Sequence, residues 1–115
     1  NRNVKLIETE ESEVFSVPYD FDFSGFVSAP YARLTREFGQ TSLKDRVFLG
    51  QSKTVEELQP AIDVYLAKKE EILAEISNFK LLKRSSRNDL KKFITEFYEI
   101  LEDTENAQEK IFKKE

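Results

Sequence analysis

Cysteine is absent, and so is histidine. Without cysteine there is no disulfide framework and no thiolate nucleophile. Without histidine the usual neutral-pH base, the Ser-His and Cys-His nucleophile systems and the commonest zinc ligand are excluded. Any metal site must be built from oxygens, which suits Mg²⁺, Mn²⁺ or Ca²⁺. No apolar run approaches the roughly 20 residues a bilayer-spanning helix needs, so no membrane partner is expected. No secretory leader pattern is visible. Glycine is scarce, and all three glycines (Gly25, Gly39, Gly50) fall between residues 24 and 53.

What is there is charge and aromatic bulk. Charged residues make up 35% of the 115-residue chain and hydrophobic residues 39%. Ten Phe and four Tyr argue for a folded core rather than disorder. The length suits one domain, read as residues 1–115. Net charge is −4, so the bulk field does not attract polyanions. The chain starts without Met at "NRNVKLIE" and reads as an excised piece of a longer protein. That leaves its compartment open.

"NVKLIE" and "EVFSVP" are rich in β-branched and aromatic residues, with the polar "TEES" between them. They predict a β-hairpin over the first 23 residues. Pro18 should end its second strand. Residues 24–53 read as a long ordered loop. A short helix is expected at Ser42–Leu49, with Val47, Phe48 and Leu49 turned inward. From residue 54 to 115 the pattern is helical. Thr54 and Glu57 form a capping box, and Pro60 suggests a broken first turn with the helix restarting there. Leu58, Ile62, Tyr65, Leu66, Ile72, Leu73, Ile76 and Phe79 recur at helical spacing. Ser85 or Ser86 is expected to cap a second helix, with Asp89 in its first turn. Leu90, Phe93, Ile94, Phe97, Tyr98 and Leu101 form its stripe. The two stripes predict an antiparallel helical hairpin, and Thr104 a cap for a short last helix. The fold class is α+β: an N-terminal β-hairpin, a long loop, then the helical hairpin with its short C-terminal helix.

The segment "SVPYDFDFSGF" places Asp20 and Asp22 among three aromatics at the strand exit. In an extended segment residues two apart share a face. Two carboxylates on one face repel unless a cation or donors lie between them, and oxygen pairs of this kind hold Mg²⁺ shared with phosphates. The competing reading is an Asx-turn, in which the acids bond the backbone. On spacing alone the turn is the simpler reading, because D-x-D is a short pattern.

"VPYDFDFSG" resembles the metal-binding strand exit of atypical bacterial kinases with a protein-kinase-like fold. HipA-like kinases carry a Pro-x-Tyr-Asp segment there, and CotH-like spore-coat kinases a Pro-Trp-Asp-x-Asp segment. "PYDFDFSGFVSAPYA" is also similar to a phrase in a group of uncharacterised bacterial proteins. The likeness covers residues 1–32 at the level of motifs and extends weakly through "RVFLG" and the helices. It implies part of a kinase-like C-lobe in a Mg²⁺- or Mn²⁺-dependent, ATP-using phosphotransferase. Asp20 would be the metal ligand and Asp22 an auxiliary ligand. Asn3 would bind the second metal position, with Asn1 the other candidate. For Asn3 the competing reading is a strand-start residue bonding backbone. Gly25 lies five residues after Asp20, which displaces the motif glycine. The catalytic Asp would precede Asn1, and the Gly-rich loop, nucleotide-holding Lys and its Glu partner would also lie upstream. The expected partners are therefore the upstream lobe of the parent and its nucleotide, and the isolated chain is expected to be inactive.

Two further features have competing readings. Lys80, Lys83, Arg84, Arg87, Lys91 and Lys92 cluster around one turn. They could meet phosphate or an acidic partner, but no aromatic residues interleave them, so nucleic acid is not indicated and a solvated turn is the simpler reading. The Phe/Tyr stripe of the second helix could dock a partner helix, or pack on the first. If nothing here binds metal, a non-catalytic helical interaction module remains the alternative.

Overall fold

The computed structural model describes residues 3–47 and 54–110. Two compact units divide the chain, Asn1–Asp45 and Arg46–Glu115. The boundary falls inside the segment read as loop.

In the first unit, β1 (Val4–Glu8) and β2 (Val14–Pro18) pair antiparallel, with Val4 opposite Pro18 and Glu8 opposite Val14. The turn explains the register. Ser12 N–H donates to the Thr9 carbonyl at 3.0 Å, and Thr9 N–H to the Glu13 carbonyl at 2.9 Å. Ser12 takes a left-handed φ of 61°. A tight turn followed by one left-handed residue is a common three-residue hairpin connection. One face carries Lys5, Ile7, Phe15 and Val17, the other Val4, Leu6, Val14 and Ser16. All but the half-buried Val4 are exposed.

The loop beyond β2 is ordered by its own polar groups. Ser28 N–H donates to the Ser24 carbonyl at 2.8 Å, and Ser28 Oγ to the Gly25 carbonyl at 3.1 Å. Gly25 is required by space: a Cβ there would lie 2.3 Å from the Leu43 carbonyl oxygen. The helix expected at Ser42–Leu49 does not form over its described residues. Asp45 takes the place of a helix by gathering the loop. Its Oδ2 accepts from Thr41 N–H at 2.7 Å, Thr41 Oγ1 at 2.8 Å and Ser42 N–H at 2.8 Å. The loop's helical turn is instead a 3-10 turn at Arg36–Phe38, closed by Gly39 at φ 75°. Val47 is exposed rather than inward, and Phe48 and Leu49 lie outside the described residues.

Among the described residues the second unit holds four helices: α1 (Val55–Ala67), α2 (Lys69–Asn78), α3 (Arg84–Glu102) and α4 (Thr104–Lys110). The capping box at Thr54 and Glu57 is present. Pro60 does not break the helix; it lies inside α1. Proline removes one intrahelical bond, and its i−4 carbonyl belongs to the exposed Glu56, where water can satisfy it. The interruption comes instead at Lys68, where the last α1 bond tightens to Lys68 N–H onto the Tyr65 carbonyl at 3.1 Å. Lys68 also accepts from Ile72 N–H at 3.0 Å, so one helix hands over to the next. Arg84 opens α3 with Lys83 as its cap residue, so Ser85 and Ser86 lie within the first turn and cap nothing, and no acid lies in that turn. Asp103, not Thr104, caps α4: its Oδ1 accepts from Asn106 N–H at 3.0 Å. Lys69 at the start of α2 pairs with Glu102 at the end of α3, Nζ to Oε1 2.5 Å, so the two helices run antiparallel.

Val55, Ile62, Leu101 and Ala107 form the core, with Leu58, Leu66, Phe97 and Ile100 packed against it. Tyr98 is 1% exposed and Phe97 meets it edge-on at 5.9 Å. The α3 stripe thus packs within the unit. Gln108 Oε1 on α4 accepts the Val55 N–H at 2.9 Å, satisfying an amide that no intrahelical carbonyl can reach. Phe79, expected in the stripe, is half exposed where α2 has already ended. Arg46 is held on α3. Its guanidinium donates to the Phe93 carbonyl and stacks 4.3 Å from the Phe93 ring centroid.

Candidate functional site

The strand exit is built by the hairpin's open end. Tyr19 N–H donates to the Asn3 carbonyl at 2.9 Å and extends the ladder by one rung beyond Val4 and Pro18. Asn3 then reaches across: its Nδ2 donates to the Asp20 carbonyl at 2.9 Å. Asparagine suits this position because its side-chain amide supplies both donor and acceptor atoms. Asn3 and Asp20, 17 residues apart in sequence, are thereby brought together. Asn1 lies outside the described residues.

Asp20 is not in an extended run. Its φ is 60°, in the left-handed region that Asp tolerates better than most residues. Asp20 and Asp22 nonetheless bring their carboxyls together, through this turn rather than through strand alternation. The Asp20 carboxyl is raised above its ordinary range because it shares a hydrogen bond with Asp22, and the Asp22 charge adds to the effect. Asp22 is lowered, first by the hydrogen bond from Asp20 and then by the Tyr31 hydroxyl and nearby backbone N–H groups. The two carboxyls therefore titrate as a coupled pair. The groups are solvent-exposed, so water screens the interaction.

Tyr31 is the member that sequence reasoning missed. Its hydroxyl donates to Asp22 Oδ2 at 3.2 Å, and its ring meets Phe23 edge-on at 6.2 Å. Donating to Asp22 raises the Tyr31 phenol above its usual range. The loop bonds of Ser24, Gly25 and Ser28 turn the chain back and make this reach possible. No local periodicity announces a tyrosine nine residues from an acid.

A hard cation prefers oxygen ligands and keeps several waters when few carboxylates hold it. Asp20 and Asp22 supply two converging carboxyls whose mutual repulsion a cation would relieve, and Asn3 lies beside them. These are the residues that could hold Mg²⁺ or Mn²⁺, as a partly hydrated ion. Among the described residues no group of three or more acidic side chains gathers. Asp22, with one oxygen already engaged by Tyr31, suits a supporting part better than a leading one. No helix of the described residues is long and apolar enough to cross a membrane. No family model, curated protein or solved structure matches the chain.

Proposed function

We propose that residues 3–31 are the metal-holding segment of a Mg²⁺-dependent phosphotransferase with a kinase-like C-lobe, inactive as the isolated chain. Asp20 is the metal ligand, Asn3 serves the second metal position, and Asp22 supports Asp20 under the hold of Tyr31. The single observation that carries this reading is the gathering of Asn3, Asp20 and Asp22 at the strand exit, where the Asn3 amide bonds the Asp20 carbonyl. The left-handed backbone of Asp20 adds support, since local strain gathers at functional positions. The metal, when bound with ATP, would neutralise charge on the transferring phosphate. The residues of this chain hold and orient it; the acceptor-orienting Asp and the nucleotide-binding parts belong upstream.

A second reading has its own observation. The Asn3 amide bonds a backbone carbonyl, and Asp22 takes a tyrosine hydroxyl, which is how turn-forming residues behave. The chain is then a non-catalytic helical interaction module with structural acids.

A Mn²⁺ titration followed by amide NMR separates the two. The metal reading expects selective broadening near Asn3, Asp20 and Asp22, lost in Asp20→Asn. Affinity is weak because phosphate ligands are missing, so the titration runs into the millimolar range. Broadening that is uniform, absent or unchanged in Asp20→Asn overturns the metal reading and leaves the module.

A further inference from the structure

The turn between α2 and α3 has a chemistry that neither reading uses. Residues 79–92, "FKLLKRSSRNDLKK", hold six basic residues against one acid, in a chain whose net charge is −4. Leu81 stands at the tip and is 88% exposed, with Phe79 50% exposed beside it. Lys80, Lys83 and Arg84 are exposed around them and make no ion pair among the described residues. The tip is also braced. Arg87 Nη1 donates to the Leu82 carbonyl at 2.6 Å and to the Phe79 carbonyl at 3.3 Å, and Leu82 N–H bonds the Phe79 carbonyl. Arg87 is thus occupied inside the turn, while Leu81, Lys80, Lys83 and Arg84 face water.

We propose that this tip docks peripherally on an anionic phospholipid surface. Charge complementarity selects the occupant: a local positive cluster, on a chain otherwise negative, concentrates attraction at one end of the helical hairpin. A nucleic acid would engage the cations and leave Leu81 in water, and the stacking aromatics of single-strand binders are missing between these basic residues. A lipid interface uses both kinds of group. Leu81 and Phe79 enter the acyl boundary while lysine and arginine heads stay at the phosphates. With two apolar side chains inserted, docking is reversible. It does not depend on the metal site.

The test is sedimentation of the 115-residue chain with vesicles of phosphatidylcholine alone or mixed with phosphatidylserine, beside a poly(U) control. Binding should require phosphatidylserine and fall as salt rises. Leu81→Ser should lower the partition coefficient about tenfold. The triple variant Lys80→Gln, Lys83→Gln, Arg84→Gln should lower it roughly hundredfold, at about fivefold per charge removed. Leu81→Ser removes an exposed side chain, so circular dichroism should show unchanged helix. No binding of the wild-type chain to the anionic vesicles overturns the proposal. So does binding that ignores Leu81→Ser, or tighter binding to poly(U).

Discussion

The two units of this chain solve the same problem with different materials. Among the described residues the helical unit buries Val55, Ile62, Ile76, Tyr98, Leu101 and Ala107, whereas the N-terminal unit buries Ala29 alone of its apolar residues. The N-terminal unit is not short of apolar side chains: Leu6, Ile7, Val14, Phe15, Phe21 and Phe23 are all exposed. Among the described residues the N-terminal unit has two strands and no second layer of its own. Helices α1, α3 and α4 can turn their stripes on one another. Order in the N-terminal unit therefore comes from polar groups aimed at backbone, those of Asn3, Ser28 and Asp45.

The sharpest break in this comparison is Tyr98→Ala. Removing a buried aromatic should cost the helical unit about 3–5 kcal/mol, read as a lower urea midpoint by circular dichroism. If the units are held by separate means, cross-strand NOEs between Val4 and Pro18 survive in conditions where the helices have melted. Joint loss would show that the hairpin depends on the helical core.

Gly25→Ala probes the other unit. The added Cβ meets the Leu43 carbonyl oxygen at 2.3 Å, so backbone must move. The expected cost is about 1–3 kcal/mol, confined to the loop. Faster amide exchange at Ser24, Ser28 and Asp45 with an unchanged helical midpoint is the outcome to look for.

Acid should distinguish the units most gently. Asp45 is lowered by the Thr41 N–H, the Thr41 hydroxyl and the Ser42 N–H, and Asp22 is lowered first by Asp20. The stability these two contribute is fully present above their ordinary value of 3.8 and fades as pH falls through their lowered values. Asp20 has the opposite sign. Raised above 3.8, it favours the fold in its protonated form, and that contribution fades as pH rises through its folded value. Glu56 in the helical unit is lowered too, but it lies at the exposed start of α1, outside the core. Carboxyl-detected NMR should find the pair titrating in two separated steps, and Tyr31→Phe should move Asp22 upward. A single ordinary step for both acids would remove the coupling on which the site rests.

Much of the architecture was legible from residues alone. Alternation and "TEES" located the hairpin, Thr54 and Glu57 started α1, and the stripe from Leu90 to Leu101 ran along α3. Each of those signals is short-range: a turn, a cap or a period within one element. The junctions were harder to read. Lys68 and Asp103 divide helices where no Pro or Gly stands, and Ser85 and Ser86 lost the cap to a helix that begins at Arg84 with Lys83 as its cap residue.

The candidate site divides along the same line. Its acids and Asn3 were visible as residue types with known oxygen chemistry. Their meeting through a left-handed Asp20 was not, and neither was the arrival of Tyr31. By itself the sequence located the hairpin, the start of α1 and the α3 stripe, and excluded thiolate, imidazole and disulfide chemistry, because period, capping and composition act over a few residues. Only the tertiary structure decided where α1 hands over to α2, that Asn3 meets the Asp20 carbonyl and Tyr31 meets Asp22, and that Leu81 is left in water. Those outcomes depend on groups far apart in the chain, and nothing in local spacing records their distance.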